Sequence, residues 1–117
     1  MDISRIRLIA FDLDGTLTQH KTPLCPEHRT VLDALGRRYP LLMAGAGMCR
    51  RIFTQMGEYP IDILGNYGMQ FAEYDPAARD IVIRENHTCP CDRESIEKRV
   101  TALREKYGYT VFTGDNA

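Results

Sequence analysis

The feature that most constrains this chain is a short apolar run that ends on two carboxylates. Ile6 to Phe11 (Ile-Arg-Leu-Ile-Ala-Phe) stops at Asp12, and Asp14 follows one residue later, just before Gly15 and Thr16. A run of this length fits a buried strand of a parallel sheet better than an amphipathic helix. In open α/β sheets, ligands bind in the crevice beyond the carboxyl ends of the strands. Residues i and i+2 of an extended chain point the same way, so Asp12 and Asp14 are both expected to face that crevice.

The rest of the chain supports an α/β reading. Pro26 and Glu27 make a good first helical turn, with Val31, Leu32 and Leu35 as its apolar face and Gly36 near its end. Tyr39 to Ala44 is a second buried-strand candidate, running into Gly45-Ala46-Gly47. A helix is predicted over Cys49 to Met56, with Ile52, Phe53 and Met56 inward and Gly57 as its stop. Ile61 to Leu64 reads as a third strand. Strand, helix, strand, helix, strand is the spacing of right-handed crossovers. Beyond it, Met69 to Tyr74 and Asp80 to Arg84 flank Asp75-Pro76 as a hairpin. Asp92 then caps a helix to about Tyr107, whose apolar positions are Ile96, Val100, Leu103 and Tyr107. Glu94 and Lys98 stand at a favourable spacing, and the helix's mixed charges read as a solvated face. Gly108 ends it, and Tyr109 to Thr113 starts another strand.

Composition narrows the function classes. The 117 residues suit one domain. With 15 Lys and Arg against 16 Asp and Glu, the net charge of −1 gives no field to attract nucleic acid or an anionic membrane. Leu41 to Met48, the longest apolar stretch, holds two glycines and is too short to span a bilayer. The N-terminus does not read as a signal peptide, and a cytoplasmic location is the default. His87, Cys89 and Cys91 place three soft ligands close together. A zinc site usually wants a second pair, and Cys25 and Cys49 are isolated, so the cysteines read as free thiols.

Two adjacent carboxylates repel, and such pairs persist where a cation or a division of labour separates their roles. Asp12 is the natural nucleophile, attacking phosphorus to give an aspartyl phosphate. Asp14 would protonate the leaving oxygen and later activate water. Mg²⁺ held by Asp12 and nearby oxygens suits this chemistry. A calcium loop would need an acid or Asn, Gly and Glu where Thr16, Leu17 and Pro23 stand, so that reading fails. The bland alternative is a strand-to-turn junction with Asp and Gly as turn formers.

Phe11 to Thr18 resembles the first motif of the haloacid dehalogenase superfamily, Asp-x-Asp-Gly-Thr after a hydrophobic strand. The segment Ile63 to Met69 is similar to the strand-to-turn segment of its Cof-like sugar-phosphatase and phosphomannomutase branch. The resemblance implies a Rossmann-like parallel-sheet core over residues 1–68, followed by the start of a mixed α/β cap over residues 69–117. It implies Asp12 as nucleophile and Asp14 as acid/base, both at the Mg²⁺ site. Phosphate is expected around Gly15, Thr16, Ala44 and Gly45, and substrate near Asn66. The implied function is a Mg²⁺-dependent phosphatase of a small phosphorylated metabolite such as a sugar phosphate. A phosphomutase and a non-catalytic binding module are the alternatives.

The sequence departs from the family pattern in two places. The second motif's Ser or Thr is replaced by Leu42 to Gly47, with no hydroxyl, although Gly45 to Gly47 offer backbone N–H groups near a helix start. A third-motif Lys is missing, and Gly114-Asp115-Asn116 only superficially matches the fourth motif, following a cap-like helix directly. The 117 residues are therefore expected to be incomplete and inactive alone, with exposed sheet edges open to self-association or a partner chain.

Overall fold

The computed structural model describes residues 2–19, 21–90 and 92–108. Among these residues five strands form one sheet in the order β1-β2-β3-β4-β5, namely β1 (Ile9–Asp12), β2 (Leu41–Ala44), β3 (Asp62–Gly65), β4 (Gln70–Asp75) and β5 (Asp80–Asn86). The first three strands pair in parallel, and β4 and β5 continue the sheet antiparallel. The α/β expectation holds, with a mixed sheet that runs on through residue 68. Beyond β3 the sheet continues into β4, which pairs with it antiparallel.

Helix α1 (Pro26–Gly36) opens on Pro26 with Glu27 in its first turn, where proline loses no hydrogen bond and an acid meets the helix dipole. Of its expected apolar face only Leu32 is buried. Val31 is 54% exposed, a correction to the three-residue stripe. Helix α2 (Cys49–Gln55) buries Cys49, Ile52 and Phe53, and Met56 at its C-cap is buried too. Gly57 then turns the chain at φ 66°. The predicted strand starts at Ile6 and Tyr39 lie too early. Ile3–Arg5 forms a 3₁₀ turn, β1 begins at Ile9, and β2 begins at Leu41.

The core collects one face of the sheet against α1 and α2. Phe11, Met43, Ile63 and Ala72 lie in register across β1 to β4. Met43, Ile63 and Ala72 are fully buried, and Leu32, Ile52, Phe53 and Met56 complete the cluster. Helix α3 (Arg93–Tyr107) stands apart, with no buried residue. Its cap is as expected, since Asp92 accepts the Ser95 N–H and Gly108 closes the helix at φ 67°. The predicted strand from Tyr109 to Thr113, the Gly114-Asp115-Asn116 segment and Cys91 lie outside the described residues. Among the described residues no group of three or more His, Cys, Asp or Glu is placed to hold a metal, and no helix is long and apolar enough to cross a membrane.

Candidate active site

The carboxyl ends of the three parallel strands lie side by side. Asp12 pairs with Ala44 across β1 and β2, and Ala44 pairs with Leu64 across β2 and β3. The chain leaves β1 through a tight turn anchored in the core. The N–H groups of Leu17 and Thr18 both donate to the Leu13 carbonyl at 3.0 Å, and Gly15 N–H donates to the Thr18 carbonyl at 2.7 Å. Gly15 holds φ 80°, a left-handed conformation that glycine adopts at no steric cost. Leu13 is buried between Asp12 and Asp14, which lie exposed and half-buried, so both carboxylates remain on the outer side of the chain.

The two acids are held differently. Asp12 is exposed, and its Oδ2 accepts from the Thr16 hydroxyl at 3.3 Å. Asp14 is half-buried. Its Oδ1 accepts from the Lys21 N–H at 2.9 Å, from Gln55 Nε2 at 2.9 Å and from the Thr18 hydroxyl at 3.3 Å. Three donors on one oxygen fix the orientation of that carboxyl, whereas Asp12 is left accessible. Gln55 also donates to the Thr22 carbonyl at 3.0 Å, which ties the end of α2 to the loop after the motif. Gln55 and Thr18 were not visible as site residues in the sequence. Their contacts join Asp14 to residues with no shared periodicity, and only the folded chain brings them together.

The other expected contacts are arranged as follows. Thr16 and Ala44 adjoin Asp12, through a hydroxyl and through the ladder respectively. The N–H groups of Thr16 and Gly45 donate inside the fold, to the carbonyls of Leu13 at 3.3 Å and Leu64 at 3.0 Å. Asn66 is buried. Its N–H donates to the Gly47 carbonyl at 2.7 Å and its Nδ2 to the Thr88 hydroxyl at 2.8 Å, which binds the loop after β2 to the chain after β5. Gln70 is a further buried polar residue that the sequence did not single out. Its Oε1 accepts the Cys49 N–H at 2.9 Å and so occupies a donor of the first turn of α2. These loops approach closely at Gly65, where a Cβ would lie 2.7 Å from the Gly47 carbonyl oxygen and 2.9 Å from the Cys49 nitrogen. Only glycine fits there. Burial pushes the nearby Cys49 thiol above its usual range, keeping it protonated and inert.

No protein-family model matches the chain. A Caenorhabditis elegans protein named probable phosphomannomutase is 33% identical over 57 residues, which are 49% of this chain and 22% of that protein. Among solved structures, a haloacid dehalogenase-like hydrolase from B. subtilis matches 86% of the chain with a TM-score of 0.61 and 18% identity. A phosphatase of the haloalkanoate (HAD) superfamily from Bacteroides thetaiotaomicron matches 88% with a TM-score of 0.59 and 15% identity. The chain spans 34% and 36% of those two structures. Its fold is that of haloacid dehalogenase-like hydrolases over this third of their length, in agreement with the resemblance carried by Phe11 to Thr18.

Proposed function

We propose that this chain carries the nucleophile and the acid/base of a phosphoryl-transfer site, acting on a small phosphorylated metabolite such as a sugar phosphate. The observation that carries the reading is the unequal pair at the end of β1, one exposed carboxylate and one held by three donors. Asp12 is the group free to attack. As its oxygen bonds to phosphorus, the bond from phosphorus to the leaving oxygen breaks, and Asp14 gives that oxygen a proton. Water then attacks the phosphorus of the aspartyl phosphate. Asp14 takes the water's proton, the Asp12 carboxylate is regenerated, and inorganic phosphate leaves.

The donor set suits Mg²⁺, which keeps several waters and binds through one or two carboxylates plus substrate phosphate. Asp12 through its carboxylate and Asp14 through its backbone carbonyl would hold it, and it would supply neutralisation of the charge on the transferred group. In the same reading, residues 1–68 are the catalytic core and residues 69–117 begin a cap that shapes the substrate side, with Asn66 at their junction. Among the described residues no Lys or Arg forms an ion pair with Asp12. The phosphomannomutase-like relative favours a second reading, in which the phosphoryl group passes to another hydroxyl instead of water. Analysis of the products from a sugar phosphate tests the choice. Free phosphate supports the phosphatase, and an isomeric ester with no free phosphate would replace it with the mutase.

A further inference from the structure

Several backbone donors near the candidate site are already used. Gly15, Thr16 and Gly45 donate to carbonyls of the fold, and the Cys49 N–H donates to Gln70. A phosphate that approaches Asp12 brings more negative charge to a place that already holds two carboxylates. A side-chain cation beside the Mg²⁺ would offset more of it.

Arg51 is placed to do so. It lies in the first turn of α2 and is exposed. Its neighbour Arg50 is engaged by Asp80 at 2.5 Å, whereas Arg51 forms no ion pair or side-chain hydrogen bond among the described residues. Its guanidinium lies over the loop that follows β2. A Cβ built on Gly47 would sit 2.7 Å from the guanidinium carbon, so the missing side chain at Gly47 makes the room that Arg51 occupies. Gly47 is three residues past Ala44, the cross-strand partner of Asp12.

We propose that Arg51 is a phosphate-binding residue of this site, its planar fork engaging two oxygens of the substrate's phosphoryl group. The proposal rests on the phosphoryl-transfer reading above and adds to it a side-chain cation that grips the phosphoryl oxygens.

The test is titration of the purified chain with inorganic phosphate, followed through the Arg51 Nε–Hε signal by heteronuclear NMR, with Arg51→Ala and Arg51→Lys alongside. A saturable shift of the Arg51 signal is expected. Arg51→Ala should weaken phosphate binding at least about tenfold, and Arg51→Lys should fall between, keeping the charge but not the fork. Unchanged affinity in Arg51→Ala, an Arg51 signal indifferent to phosphate, or no phosphate binding by the native chain would overturn the proposal. Phosphoryl labelling of Asp12, measured separately, distinguishes the two ideas. Labelling with unchanged phosphate affinity in Arg51→Ala removes Arg51 and keeps the reading. Phosphate held by Arg51 without labelling keeps the Arg51 site and removes the reading.

Discussion

Helices α2 and α3 show opposite ways of being a helix. The shorter, α2, has seven residues and no side-chain cap, yet Cys49, Ile52 and Phe53 are all buried. The longer, α3, has fifteen residues, an Asp92 cap, an acid in its first turn, basic residues in its last, a Glu94–Lys98 pair at 3.1 Å and a left-handed Gly108 stop. It buries nothing. Local signals make α3 helical, and packing makes α2 part of the fold. The consequence for function lies with α2. Because it is held by the core, its last residue, Gln55, can hold Asp14, and its first turn can carry Arg51 over the loop after β2.

The largest expected effect separates the two helices directly. Phe53→Ala should cost about 3–5 kcal/mol, because a ring 1% exposed leaves a cavity beneath the sheet. Leu103→Ala in α3, where the side chain is 41% exposed, should change stability by less than about 0.5 kcal/mol. Urea unfolding of both variants measures the contrast, and equal losses would break it.

A smaller effect concerns the loop after α2. Tyr59 is buried there and donates to Asp33 of α1 at 2.6 Å. Burial, reinforced by that hydrogen bond and the Asp33 charge, pushes its hydroxyl well above the ordinary tyrosine range. The folded state thus keeps a proton that the unfolded state releases near pH 10. Stability from this group is complete below that pH and falls as pH rises above it. Tyr59→Phe should lose about 1 kcal/mol at neutral pH and flatten the decline between pH 9 and pH 11. An unaltered alkaline slope in unfolding titrations would show that Tyr59 is not its source.

The smallest effect belongs to α3. Asp92→Ala removes its cap, worth about 1 kcal/mol to the helix itself. Because α3 buries nothing, the loss should appear as reduced helicity by circular dichroism while the urea midpoint stays in place. A shifted midpoint would mean that α3 is coupled to the core after all.

The same contrast explains what the sequence could and could not reveal. The limits of α2, the Asp92 cap and Gly108 stop of α3, the hairpin and the Asp12–Asp14 turn were all legible, because each is written in neighbouring residues. The α/β class and its haloacid dehalogenase-like fold followed from them. Other features depend on contacts between distant positions. Periodicity gave Val31 to the core, but of that stripe only Leu32 is fully buried and Val31 stays exposed. Nothing local marks Gln70 as the partner of Cys49, Gln55 as the partner of Asp14, or Gly65 as the point where two loops meet. The continuation of the sheet from β3 into β4 was hidden for the same reason. A hairpin reads alike whether it stands alone or extends its neighbour.

The most direct test of the central claim is the intact mass of the chain after incubation with Mg²⁺ and a small phosphoryl donor such as acetyl phosphate, with Asp12→Asn alongside. The account predicts the gain of one phosphoryl group, mapped to Asp12 and lost in the variant. A chain that gains none, or that gains it equally in Asp12→Asn, would contradict it.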